Sequence, residues 1–238
     1  WLMGASLGTA YIYMVESPDI DHQACDDMRL AIRHAAMKAG PATLLALSLL
    51  SAPFTRMKLL VAVGLLLSAL GDAFLAVEVC EDQSPLFLAG LVSFLLGHVF
   101  YIIAFALTSS PTPPRSLSLA STAPFLAAAG VLLYLLLPEV PAPLFAPVVV
   151  YAAVLSSMNI CAASRVGGQW GSKTSQLLGM AGAIVFLVSD ATLAIDRFKK
   201  SWEVPHAHTV VLITYYISQY LLAASAATAD ASKALKKD

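Results

Sequence analysis

Charge is scarce in this chain. Only 12% of its 238 residues are Asp, Glu, Lys or Arg, 58% are hydrophobic, and the formal net charge is −1. Without a clustered basic face, nucleic-acid binding is excluded as a function class. The three cysteines, Cys25, Cys80 and Cys161, are far apart and form no C-x-x-C, so neither a disulfide framework nor a cysteine zinc site is indicated. There is no H-E-x-x-H, and no basic stretch followed by an apolar run and a small-residue cleavage pattern, as a secretory signal would have. The first residue is Trp1, not Met. The native N-terminus is therefore expected to be missing and the first apolar run clipped, since a membrane span takes about 20 residues.

What the chain does have is long apolar runs and a mean hydropathy of +0.76. Eight candidate spans fall at about 1–15, 35–53, 57–77, 85–107, 117–137, 143–163, 174–195 and 206–227. There is no alternating pattern of the kind a membrane barrel needs, so all eight should be helices. The fold class is all-α, a polytopic transmembrane bundle forming one domain over 1–229. It is expected to carry a solvated polar loop with a short helix at about 16–34 and a polar tail at 230–238. Proline clusters at Pro111–Pro114 and Pro138–Pro147 and glycines Gly167, Gly168 and Gly171 mark connections. Gly4 and Gly8 form a G-x-x-x-G, a motif for close helix contact. Lys and Arg counts by side give a small excess on the side that carries both termini, which places the termini in the cytosol.

Two aspartates interrupt these runs. Asp72 lies in L-G-D-A-F-L-A and Asp190 in V-S-D-A-T-L-A, so D-A-x-L-A occurs twice, in the third and seventh spans. Spans four apart run in the same direction, and the pattern reads as a parallel four-helix repeat with a central site between the halves. A carboxylate within the bilayer costs roughly 2.5–3.5 kcal/mol on insertion scales, which makes each aspartate a functional candidate. Further polar residues fall within the spans or at their ends: Lys38, His98, Tyr101, Tyr151, Asn159, Tyr215, Tyr216 and Gln219. Some can serve as helix-to-helix glue, Asn159 and Tyr101 above all.

Two carboxyls facing one apolar cavity do not both ionise easily, which leaves one as acid and one as base. The substrate met from inside a bilayer should be a lipid, with Lys38 placed to hold a phosphate. The rival reading is a zinc hydrolase using His206, His208, His98 and the aspartates, but no ligand spacing ties these together and the His206–His208 pair reads as an interfacial anchor. A third reading is a lipid-binding or transport protein that uses the aspartates as a proton relay.

The segments G-L-L-L-S-A-L-G-D-A-F-L, F-x-x-G-H-V-F-Y-I-I-A-F around His98, G-A-I-V-F-L-V-S-D-A-T-L-A-I-D-R-F and T-Y-Y-I-S-Q-Y-L-L around Gln219 occur in this order. Together they resemble the YhhN-like family of membrane proteins, whose characterised animal members are lysoplasmalogenases. The resemblance runs from about Lys38 to Ser225 and departs from the family at K-A-G-P, where Lys and Pro more often lie closer together. It implies hydrolysis of the vinyl ether of a lysoplasmalogen to a fatty aldehyde and glycerophosphoethanolamine or glycerophosphocholine, in the endoplasmic reticulum membrane. Asp72 and Asp190 would be catalytic, with Lys38, His98, Tyr101, Tyr151, Tyr215 and Gln219 binding substrate. No metal, nucleotide or other cofactor is called for.

Overall fold

The computed structural model describes residues 2–23, 28–78, 85–107, 119–168 and 171–229. Among them are eight α-helices, one 3-10 turn and no strand. The helices are α1 (Leu2–Gln23), α2 (Met28–Leu50), α3 (Arg56–Glu78), α4 (Pro85–Leu107), α5 (Leu119–Leu136), α6 (Ala142–Arg165), α7 (Lys173–Phe198) and α8 (Ala207–Thr228). A helix closes all its backbone hydrogen bonds within itself, which is why these apolar runs adopt it. Six of the eight, α3 to α8, are long and apolar enough to cross a membrane.

The expected loop at 16–34 is corrected. Helix continues to Gln23 and resumes at Met28, so the polar stretch is the facing ends of α1 and α2. Composition misled there, because Asp and Arg at helix ends look like loop residues when their helices are not yet delimited. Gly4 and Gly8 make no close contact within the chain: both face outward, and a Cβ at either would meet nothing within 4 Å. The Pro111–Pro114 linker, the tail from 230, Cys25 and Cys80 lie outside the described residues.

The ends of the bundle are marked by ion pairs and caps. Glu78, closing α3, takes a two-pronged contact from Arg197 near the end of α7, Nη2 to Oε1 at 2.5 Å and Nη1 to Oε2 at 3.4 Å. Lys199 pairs with Glu139 of the turn after α5. Helices α3, α5 and α7 thus finish at one end and run parallel. At the opposite end the wholly buried Arg165 closes α6, with Nη2 donating to Ser175 Oγ at 3.3 Å and the guanidinium 4.9 Å from the Phe105 ring centre. Ser172 caps α7 by accepting from Ser175 N at 3.0 Å. The turn between α6 and α7 uses positive φ at Gly167 and Gly171, 76° and 68°, which only glycine adopts freely.

Helix pairings in the first half recur in the second. The two most extensive interfaces are α3 with α4 and α7 with α8, and α2 on α8 is matched by α6 on α4. Missing side chains allow the closest approaches. A Cβ at Gly64 would lie 2.3 Å from the Tyr101 ring, and one at Gly182 would lie 3.0 Å from Leu222 Cγ. Small residues play this part between membrane helices, where apolar area alone drives no association.

Candidate active site

Asp72 is held on the buried face of α3, which also carries Val61, Leu65, Ser68, Ala69 and Ala76. It is 2% exposed. Tyr215 of α8 donates its hydroxyl proton to Asp72 Oδ2 at 2.6 Å. Asp190 on α7 has a matching partner from another helix, since Tyr151 of α6 donates to Asp190 Oδ2, also at 2.6 Å. Each aspartate therefore has one oxygen fixed by a tyrosine.

Behind Asp190 stands His98 of α4, wholly buried. Its Nε2 lies 3.0 Å from the Tyr151 hydroxyl and 3.5 Å from Asp190 Oδ2. Because Tyr151 gives its proton to Asp190, its oxygen accepts from His98, which assigns the imidazole proton to Nε2. His98 Nδ1 has no hydrogen-bond partner among the described residues, as fits the unprotonated nitrogen of that tautomer. Aromatic rings join the two sites edge to face. His98 packs on Phe186 with ring centres 4.6 Å apart, Phe186 on Tyr215 at 5.7 Å, and Phe94 on the other side of Tyr215 at 5.9 Å. This array favours fixed ring positions through the quadrupoles of the rings.

A cavity of about 670 Å³ opens beside the carboxylates. Lys38, Asp72, Tyr151, Asp190 and Tyr215 all line it, and the remaining wall is mainly apolar, with Leu132, Val148, Ala152 and Leu187 among its members. Lys38 stands near enough to act electrostatically on Asp72, and its backbone carbonyl accepts from the Tyr216 hydroxyl at 3.0 Å. The sequence reading had His98 and Gln219 binding substrate alongside the aspartates. The structure sets them outside the cavity lining. Tyr101 is outside it too and donates to Gln219 Oε1 at 2.8 Å. Asn159 donates to Leu155 O at 3.0 Å within its own helix. Each of these side chains has a protein partner at one polar atom, while Gln219 Nε2 and Asn159 Oδ1 have none among the described residues.

Sequence reasoning missed the buried pair Tyr13 and His34, whose hydroxyl and Nε2 lie 2.6 Å apart with the rings stacked at 5.3 Å. His34 precedes Lys38 by one helical turn, so the periodicity of α2 carried the signal. It also missed Arg197 among the lining residues, and His208, read as a zinc ligand or an interfacial anchor, lines the cavity too. His206, by contrast, is an exposed residue with φ 55° that starts α8. Among the described residues no group of three or more His, Cys, Asp or Glu side chains could hold a metal ion.

The sequence model of the YhhN family matches residues 33–226. Lysoplasmalogenase TMEM86A of Bos taurus is 32% identical over 167 residues, covering 69% of this chain and 63% of that protein. Lysoplasmalogenase TMEM86B of Homo sapiens is 33% identical over 163 residues, 68% of this chain and 61% of its own length. Lysoplasmalogenase of Mycobacterium bovis is 33% identical over 171 residues, 71% and 61% respectively. The chain thus spans less than two thirds of the length of these curated relatives. No solved structure matches it.

Proposed function

The chain belongs to the YhhN family, and from that premise we propose that this multi-pass membrane protein is a lysoplasmalogenase acting through Asp72 and Asp190. The observation that carries the reading is the placement of two tyrosine-oriented carboxyls on one largely apolar cavity. A vinyl ether is opened by acid at carbon. One aspartic acid gives its proton to the outer alkenyl carbon, and the electron pair of the double bond forms the new C–H bond. The ether oxygen shares the resulting positive charge as an oxocarbenium ion. The other aspartate, ionised, stabilises that cation and takes a proton from the water that adds to the inner carbon. As the bond to the glycerol oxygen breaks, the hemiacetal hydroxyl gives its proton to the first aspartate and the glycerol oxygen takes the proton held by the second, which restores both carboxyls and releases a fatty aldehyde and a glycerophospho-alcohol.

Apolar walls suit the tail and keep bulk water from the cation, so the two carboxyls act at low effective dielectric. Lys38 lines the same cavity as the two carboxyls, and an ammonium there helps hold whichever of the pair is ionised. Relatives named lysoplasmalogenase on both the animal and the mycobacterial side support the substrate class. Residence in the endoplasmic reticulum membrane, which the family resemblance implies, belongs to the same proposal.

Purified protein supplied with an alkenyl lysophosphatidylcholine should release aldehyde, while acyl lysophosphatidylcholine should bind and compete without reacting. Binding of both lipids with no aldehyde would turn the reading toward a lipid-binding or transport protein.

A further inference from the structure

We propose that Arg197 holds the phosphate of the lysophospholipid at the cavity mouth, so that α7 fixes both ends of the substrate's polar part; this rests on the reading of the site given above. Asp190 and Arg197 are seven residues apart on one helix, which puts them on the same face, two turns and about 10.5 Å from each other. Both line the cavity. In a lysoplasmalogen, seven bonds separate phosphorus from the carbon that is protonated. An extended chain covers 3.8 Å in three bonds, so seven span roughly 9 Å. A phosphate on Arg197 therefore sets the vinyl ether at the level of the carboxyls.

Arg197 is built for this. Its pair with Glu78 uses one hydrogen on each terminal nitrogen, which leaves three of the five guanidinium N–H groups for another acceptor. The guanidinium carbon lies 4.4 Å from the ring centre of Phe87, itself part of the cavity wall, and this contact and the Glu78 pair fix the plane of the group. Glu78 is buried, 8% exposed at its side chain, while that of Arg197 is 38% exposed. The carboxylate is thus the positioning group and the guanidinium the presented one. A planar fork of donors matches phosphate geometry better than a point charge does. Asp196, next in sequence, lines the same mouth and supplies an anion for the amine of a zwitterionic head group.

Lys38 is the other cation on the cavity. It stands at the level of Asp72, since its carbonyl accepts from Tyr216 while the adjacent Tyr215 donates to Asp72. A phosphate on Lys38 would occupy the level of the carboxyls, where the vinyl ether has to lie.

The test compares alkenyl lysophosphatidylcholine with the matching alkenylglycerol, which lacks the phosphate. Arg197→Gln should raise KM for the phospholipid by about tenfold or more, the loss expected for charge-assisted hydrogen bonds, with kcat within twofold and the alkenylglycerol unaffected. The Glu78→Gln/Arg197→Gln double variant, which leaves no unpaired buried charge, should show the same selective loss at normal folded yield. Equal losses on both substrates, or none, would overturn the proposal. Should wild type release aldehyde from neither substrate, the enzymatic reading fails on its own, and the site is then judged by binding of acyl lysophosphatidylcholine against monoacylglycerol. Selective weakening of the former by Arg197→Gln supports the phosphate site, and equal binding by variant and wild type refutes it.

Discussion

Tyr101 of α4 donates a 2.8 Å hydrogen bond to Gln219 of α8, and each stands 29 residues after an aspartate, Tyr101 after Asp72 and Gln219 after Asp190. Two positions that correspond in the two halves therefore meet each other. Residues related by an approximate two-fold axis do so when they lie close to it, and an axis along the bundle also accounts for the recurring helix pairings. The aspartates lie off the axis. Asp72 takes its tyrosine from α8, the helix after Asp190, and Asp190 has His98 from α4, the helix after Asp72. Each half completes the other's site.

This contact gives a stability prediction. Gln219→Leu takes from the buried Tyr101 hydroxyl the acceptor it uses and leaves Ser68 beside it, and Tyr101→Phe leaves Gln219 Oε1 without its donor; each should cost at most about 1–3 kcal/mol. Replacing both partners removes the polar pair altogether. The double variant should melt at a higher temperature in detergent than Gln219→Leu alone, and strictly additive losses would count against a direct bond.

The aspartates themselves set the largest effect. Asp72→Asn and Asp190→Asn should each lower kcat by about 10²–10⁴-fold, the usual worth of acid–base groups, at nearly normal folded yield. Since the two act as a unit, the double variant should be little worse than the poorer single one. Full kcat in either single variant would end the two-carboxylate mechanism.

Their tyrosines should differ. Tyr215→Phe takes away the hydroxyl held 2.6 Å from Asp72 Oδ2, and a bond to a charged acceptor is worth about 1.5–3 kcal/mol, or ten- to a hundredfold in rate if all of it acts on the transition state. Tyr151→Phe is cushioned, because His98 Nε2 already stands 3.5 Å from Asp190 Oδ2 and can donate there instead. Its kcat should fall less than that of Tyr215→Phe, and adding His98→Leu should remove the difference. Equal losses in the two tyrosine variants would argue that His98 gives no such cover.

Much of this arrangement was legible in the residues. A carboxyl in an apolar run is conspicuous whatever the fold, so Asp72 and Asp190 could be named from cost alone, and the duplicated D-A-x-L-A placed them on parallel helices. Hydropathy located α3 to α8 closely, since solvent exposure of their backbones in lipid is forbidden. It placed α1 and α2 as well but cut their facing ends short, because the polar residues there interrupt the signal. Which polar side chains face the cavity was not legible either. His98, Tyr101 and Gln219 satisfy the same pattern as Tyr151 and Tyr215, and only the packing of α4 on α6 and of α3 on α8 decides which of them meet protein partners. Arg197 looked like a loop cation because charge near a span end has no direction until the helix does.

The apolar part of the cavity leads to a prediction about tail length. Ala152 stands ten residues into α6, about 15 Å from its start, one turn past Val148 and somewhat deeper than Asp190, which is about 12 Å from the end of α7. Both Ala152 and Val148 line the open space, so a phenyl ring at position 152 would extend into room that no protein atom fills and should cost little stability. It would take volume from the tail, which begins at the vinyl carbons beside the carboxyls. Burial is worth about 0.8 kcal/mol per methylene, so excluding three methylenes costs about 2.4 kcal/mol, roughly fiftyfold in kcat/KM. Ala152→Phe should therefore lose that factor on a hexadecenyl lysolipid while an octenyl one, with fewer carbons to place, changes far less. Because the head group and the carboxyls are untouched, inhibition by glycerophosphocholine should stay as in wild type. A uniform loss across chain lengths, or none, would mean that the tail does not lie along α6.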